Sequence, residues 1–119
     1  MIFKKIFAVI GLFGVILGAS GAHYLKSFLD ADHLETWKTA TFYLFIHTLA
    51  GLFASQNSVR NRSTFCFLFG ILLFSGSLYT LAFFRMTIVG AITPVGGVLF
   101  LLGWLFLALD LRGSIGNKK

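Results

Sequence analysis

Carboxylates, cysteine and proline are scarce in this chain: four acids, one cysteine and one proline among 119 residues. Each scarcity excludes something. With Cys66 alone, neither an internal disulfide nor a cysteine metal cluster can form within one chain, so a stapled secreted scaffold is ruled out. Charged residues make up only 12% of the sequence, and none falls within Ile6–Ala22, Thr39–Val59, Ser63–Phe84 or Met86–Leu109. A disordered chain needs the opposite composition. A nucleic-acid module needs a solvated basic face, so no nucleic-acid partner is expected. Catalytic signatures are missing too. There is no HExxH spacing and no Gly-x-Ser-x-Gly elbow, and no phosphate-loop Lys-Ser or Lys-Thr follows the glycines at 90–97. No carboxylate lies inside an uncharged stretch to orient a histidine base, so no catalytic residue, metal ligand set or cofactor is assigned.

What remains is apolar. Hydrophobic residues are 57% of the chain and aromatics 17%, and each uncharged stretch is long enough for an α-helix to cross a hydrocarbon layer of ~30 Å. The expected fold is all-α, an integral membrane four-helix bundle forming a single domain over 1–119, with spans at about 6–22, 37–55, 64–84 and 87–109. The net charge of +6 is unevenly placed. With four crossings, Lys4, Lys5, Arg60, Arg62, Arg112, Lys118 and Lys119 share one side, against Lys26, Lys38 and Arg85 on the other. That asymmetry predicts both termini in the cytoplasm. Membrane lipid, anionic at that face, is the expected partner of the basic side.

In the first span Gly11, Gly14, Gly18 and Gly21 recur every three or four residues and share one helical stripe, a surface another helix can approach closely. With Gly96 and Gly97 of the last span they make two candidate packing faces. Either could serve the internal bundle or a membrane-protein partner or second copy. His23 ends the first span at the outer interface, and His23–Leu29 reads as an interfacial turn or short helix. Asp32 and Glu35 have capping-box spacing, placing the start of the second helix near His33, itself expected to be solvated. Pro94 lacks the amide hydrogen that an interior helix position donates to Gly90. Two structures satisfy it: a helix from Met86 kinked at Pro94, or a helix beginning with Thr93 as N-cap and Pro94 at its first position.

His47 lies roughly 15 Å of helix below Lys38, near mid-membrane. Tyr43 is one turn before it, and Ser75, Ser77 and Tyr79 of the third span are expected at similar depth. The expected role of His47 is a neutral imidazole joining helices through those hydroxyls. The alternative is a proton relay, a quinone site or a metal ligand.

The strings Gly18-Ala19-Ser20-Gly21-Ala22-His23, Tyr43-Leu44-Phe45-Ile46-His47-Thr48-Leu49-Ala50, Gly70-Ile71-Leu72-Leu73-Phe74-Ser75-Gly76-Ser77-Leu78-Tyr79 and Gly90-Ala91-Ile92-Thr93-Pro94-Val95-Gly96-Gly97 occur in that order. Together they resemble the YgdD/YwdK-like family of small bacterial inner-membrane proteins, with Leu44 departing from an expected glutamine. The resemblance implies a four-helix membrane protein of unknown function and no activity. The leading expectation is a non-enzymatic protein acting through helix association, as an accessory subunit, assembly factor or homo-oligomer. The alternative is a carrier, channel or lipid- or quinone-binding protein organised around His47.

Overall fold

The computed structural model describes residues 2–111, so Arg112, Lys118 and Lys119 of the charge asymmetry lie outside the described residues. Four helices run in alternating directions: α1 (Ile2–His23), α2 (Ala31–Asn57), α3 (Arg62–Phe84) and α4 (Thr93–Asp110). No strand occurs among the described residues. α2 and α3 form the central pair, with α1 on α2 and α4 on α3. The N-terminal end of α1 and the C-terminal end of α4 lie at the same end of the bundle. There Phe3 meets Phe65, and the Val59 amide donates to the Asp110 carbonyl.

Three stretches, Ile2–His23, Arg62–Phe84 and Thr87–Asp110, are by themselves long and apolar enough to cross a membrane. α2 is the exception. Its polar side chains lower its hydropathy, yet His47 and Thr48 are buried within the bundle, so the polarity is turned toward protein and away from lipid. The outer surfaces of α1 and α4 are the reverse, with Leu12, Val15, Leu101 and Leu109 largely exposed.

The glycines explain how the helices meet. In the α1–α2 seam, Phe7 sits where a Gly51 side chain would be, and Trp37 of α2 covers Gly21 of α1. The α3–α4 seam repeats the exchange, Phe67 lying on Gly103 and Phe100 on Gly70. Each seam is locked by a reciprocal pair of aromatic rings on glycines, which brings backbones close and gains dispersion contacts that lipid cannot match. The stripe at Gly11, Gly14, Gly18 and Gly21 thus faces α2. A Cβ at Gly14 would lie 2.6 Å from Leu44, and one at Gly18 would lie 3.3 Å from Thr41. Of the two uses open to this stripe, packing within the bundle is the one seen, as it is for Gly96, which abuts the Phe74 backbone. Leu44 is a buried core residue of the same seam.

A π turn at Ile71–Ser75 interrupts α3 where its neighbours press from two sides. Gly96 contacts the Phe74 backbone there, and the Ser75 hydroxyl donates to the Ala40 carbonyl at 2.7 Å.

Two helix starts differ from expectation. α2 begins at Ala31, with Asp30 as N-cap accepting the His33 amide at 2.8 Å; the Asp32–Glu35 capping box is not used. Asp30 also accepts the His33 ring nitrogen at 2.7 Å, so His33 is a partner in the cap and not a freely solvated side chain. Before α4 the chain makes a 3₁₀ turn at Thr87–Ala91, which removes the kinked-helix alternative. Pro94 falls in the first turn of α4, where its missing amide hydrogen costs nothing. Thr93 is not the cap: Ile92 holds that position, and the Thr93 hydroxyl pairs with Ser77 on α3.

The Asp30 cap carries a pH signature. Its carboxyl is held below the ordinary carboxylate range first by the His33 amide it accepts, then by the His33 ring. The stability it contributes is therefore complete above the unfolded pKa and lost as pH falls through the lower folded one. Melting temperature in detergent should drop as pH is lowered below about 4. In Asp30→Asn, which can still accept the amide, that contribution to the drop should be absent; an unchanged acid profile would refute the assignment.

Candidate functional site

His47 is buried on α2, and its two ring nitrogens have unlike partners. Nδ1 lies 2.8 Å from the Tyr43 carbonyl oxygen, which can only accept, so Nδ1 carries the hydrogen. The Trp104 indole N–H, which can only donate, reaches Nε2 at 3.0 Å. These partners assign a neutral imidazole with both nitrogens occupied. The ring stacks on Phe100 with centroids 3.6 Å apart and planes 8° apart, with Phe67 and Trp104 at its edges. Protonation would give Nε2 a hydrogen pointing at the indole N–H, so the site is built for the uncharged form.

The expected polar cluster is not one site. Ser75 is tied to Ala40, Ser77 to the Phe74 carbonyl and Thr93, and the Tyr79 hydroxyl to Thr41 at 2.6 Å. Neither serine reaches His47. The register explains why. With Ser75 opposite Ala40, seven residues or roughly 10 Å of helix separate that level from His47, and the antiparallel neighbour there is Phe67. The interhelical partner of His47 is thus an indole on the last helix and not a hydroxyl on the third. His23 ends α1 as an exposed residue. Among the described residues no three His, Cys, Asp or Glu side chains gather as a metal site.

Three further side chains, Trp37, Arg62 and Trp104, join helices. Trp37 donates its indole N–H to the Leu17 carbonyl at 2.8 Å and packs edge-on against Tyr79. Arg62 grips Asp110 with Nε at 2.6 Å and Nη2 at 2.8 Å while lying over Phe106, fastening the start of α3 to the end of α4. Trp104 itself carried a signal in the sequence. A tryptophan within an apolar run, away from the interfacial belt that tryptophans favour, needs a buried acceptor for its N–H. Among the described residues, the buried hydroxyls of Thr48 and Thr64 have no protein partner.

Trp104 also borders a groove. Between α2 and α4, Ile46, Leu49 and Phe53 face Trp104, Ala108 and Leu111 across an apolar cleft of about 530 Å³ that opens laterally. His47 lies behind this wall, its Nε2 bonded to Trp104.

An apolar helical exterior, an interior whose polar side chains include several that bond helix to helix, and a side-opening apolar groove define a class, the multi-pass helical membrane protein built as a four-helix bundle. Within it, the chain belongs to the family described as "Protein of unknown function (DUF423)", matched over residues 17–97. It is 44% identical over 117 residues to a UPF0382 membrane protein of Haemophilus influenzae, covering 94% of this chain and 92% of that one. It is 40% identical to the UPF0382 inner membrane protein YgdD of Escherichia coli (98% and 92% covered) and 38% identical to the UPF0382 membrane protein YwdK of Bacillus subtilis (88% and 94% covered). No solved structure matches the chain. The function of this family is unknown.

Proposed function

We propose that this chain is a non-enzymatic protein of the bacterial inner membrane that holds a lipid chain against the groove between α2 and α4. The observation that carries the reading is the contrast at Trp104. One edge of its indole is bound to His47, its exposed face lines the apolar cleft, and among the described residues no nucleophile or free base lines that cleft. A concave apolar surface without chemistry binds and does not transform. Purification in mild detergent followed by native mass spectrometry should find phospholipid retained at near-stoichiometric amount. Ala108→Phe, which fills the cleft from an exposed position, should lose it. Equal retention by both proteins, or turnover of a bound molecule, would overturn the reading.

Helix association, as an accessory subunit or homo-oligomer, is favoured by one position. At Gly76 on α3 an added Cβ would meet nothing within 4 Å, so a foreign helix could approach there. A partner or second copy cross-linked at Gly76→Cys would support it.

The topology that fits these roles has four crossings and both termini cytoplasmic, supported by the basic residues at the terminal end of the bundle. In a Cys66→Ala background, single cysteines at Ser27, Asn61 and Ser114 test it. An impermeant maleimide on intact spheroplasts should label Ser27→Cys only. Labelling of Ser114→Cys from outside would remove the four-crossing arrangement.

A further inference from the structure

The α2–α4 groove runs toward one end of the bundle, and that end is charged. Its lining descends α2 from Ile46 to Phe53 and α4 from Trp104 to Leu111, about 10 Å along each helix. That is a third of a hydrocarbon core of ~30 Å, the stretch nearest one membrane surface. At the mouth, Ser58 pairs with Leu111 and the Val59 amide donates to the Asp110 carbonyl, so the α2–α3 turn is held directly beside the last lining residue. Arg60 follows at once in that turn and is exposed. Arg62 is committed to Asp110 by its bidentate contact, whereas Arg60 makes no side-chain hydrogen bond or close ion pair among the described residues and only adds its charge at a distance from Asp110. Lys4 and Lys5 of α1 add to the positive field at the same end. The result is an apolar slot ending beside a cation, complementary to a molecule with an alkyl chain and an anionic head.

We infer that the occupant of the groove is an anionic phospholipid, its acyl chain lying between Phe53 and Trp104 and its phosphate at Arg60. This inference rests on the lipid-holding reading above and adds the headgroup to it. Selection by charge is what the surroundings dictate. Any phospholipid tail fits an apolar cleft, but a zwitterionic head brings its own cation to Arg60, and a phosphatidylglycerol-type head does not. Trp104 reports occupancy directly, because it is the only tryptophan lining the groove; Trp37 is buried between α1 and α2.

The test uses the full chain reconstituted with chain-brominated phosphatidylglycerol or phosphatidylcholine in competition with the unbrominated lipid. Quenching of indole emission measures relative affinity. Trp37→Phe isolates the Trp104 signal, and Trp104→Phe marks the background. Brominated phosphatidylglycerol should quench Trp104 with an affinity about five-fold above phosphatidylcholine, the scale of one arginine at an anionic surface. Arg60→Gln should bring the ratio close to one while leaving the melting temperature unchanged. Should Trp37→Phe fail to fold, native mass spectrometry of the unsubstituted chain from equimolar phosphatidylglycerol and phosphatidylcholine reads the same ratio, against Arg60→Gln. Equal affinities in the unsubstituted protein would overturn the headgroup assignment and leave the lipid-holding reading intact. Quenching by both lipids that does not fall in Ala108→Phe, or a protein captured at the groove by a cross-linker at Leu49→Cys, would overturn both.

Discussion

Gly96→Leu is expected to abolish the folded bundle. A Cβ at this position would lie 2.8 Å from the Phe74 Cα and closer still to the Phe74 amide nitrogen, and backbone cannot swing aside as a side chain does. Relief requires α3 and α4 to move apart, which withdraws Phe100 from Gly70 and Phe67 from Gly103 along the whole seam. Overpacking by single methylenes typically costs about 1–3 kcal/mol where side chains can adjust. Gly96→Ala alone should reach the upper end of that range, and leucine should exceed it against a total stability of roughly 5–15 kcal/mol. Size-exclusion profile and thermal melting in detergent would report the loss. Gly76→Ala is the matched control: in open space it should be neutral or slightly stabilising, since alanine is the better helix former. A monodisperse Gly96→Leu protein with an unchanged melting temperature would mean that the α3–α4 contact is wrong.

His47→Ala should destabilise the bundle by about 2–4 kcal/mol, more than an interhelical hydrogen bond alone, which is worth roughly 0.5–2 kcal/mol. Two losses combine. The Trp104 indole loses its acceptor, and a hole opens beside Phe100 where the imidazole had stacked. His47→Phe separates them, because it restores the volume without the acceptor and should recover most of the cavity share. A double-mutant cycle with Trp104→Phe then isolates the His47–Trp104 coupling. A stable His47→Ala protein that had lost a proton flux or a bound quinone would instead make the imidazole a functional group.

The Asp30–His33 cap is local, a choice between neighbouring acids, but the other features hidden from the sequence share one cause. Pro94 was narrowed to two structures by its own covalent chemistry, and the choice between them depended on what surrounds the preceding turn. The glycine stripe of α1 was legible as a close-approach surface. Its partner was not, because a stripe gives an azimuth on one helix and says nothing of which helix lies against it. Trp37 and Phe7 on opposite sides of the same seam settled that question. Counting residues down each span places Ser75 and Ser77 beside His47, and a slide of two turns between antiparallel helices is enough to defeat the count. The Arg62–Asp110 clasp spans 48 residues of sequence and had no local signature.

What the sequence determined by itself was carried by single segments. The lengths of its uncharged runs made it all-α and membrane-embedded, since a helix that satisfies its own backbone is the form such a run can take in lipid. The spacing of its glycines marked the close-packing face of α1, and Pro94 limited the last span to a kinked helix or one beginning at Thr93. The tertiary structure decided the properties that belong to two helices at once: the axial register, the partner and tautomer of His47, the burial of the glycine faces and the groove beside Trp104. Those follow from aromatic rings on one helix finding glycines on another, and that fit exists only when both surfaces are brought together.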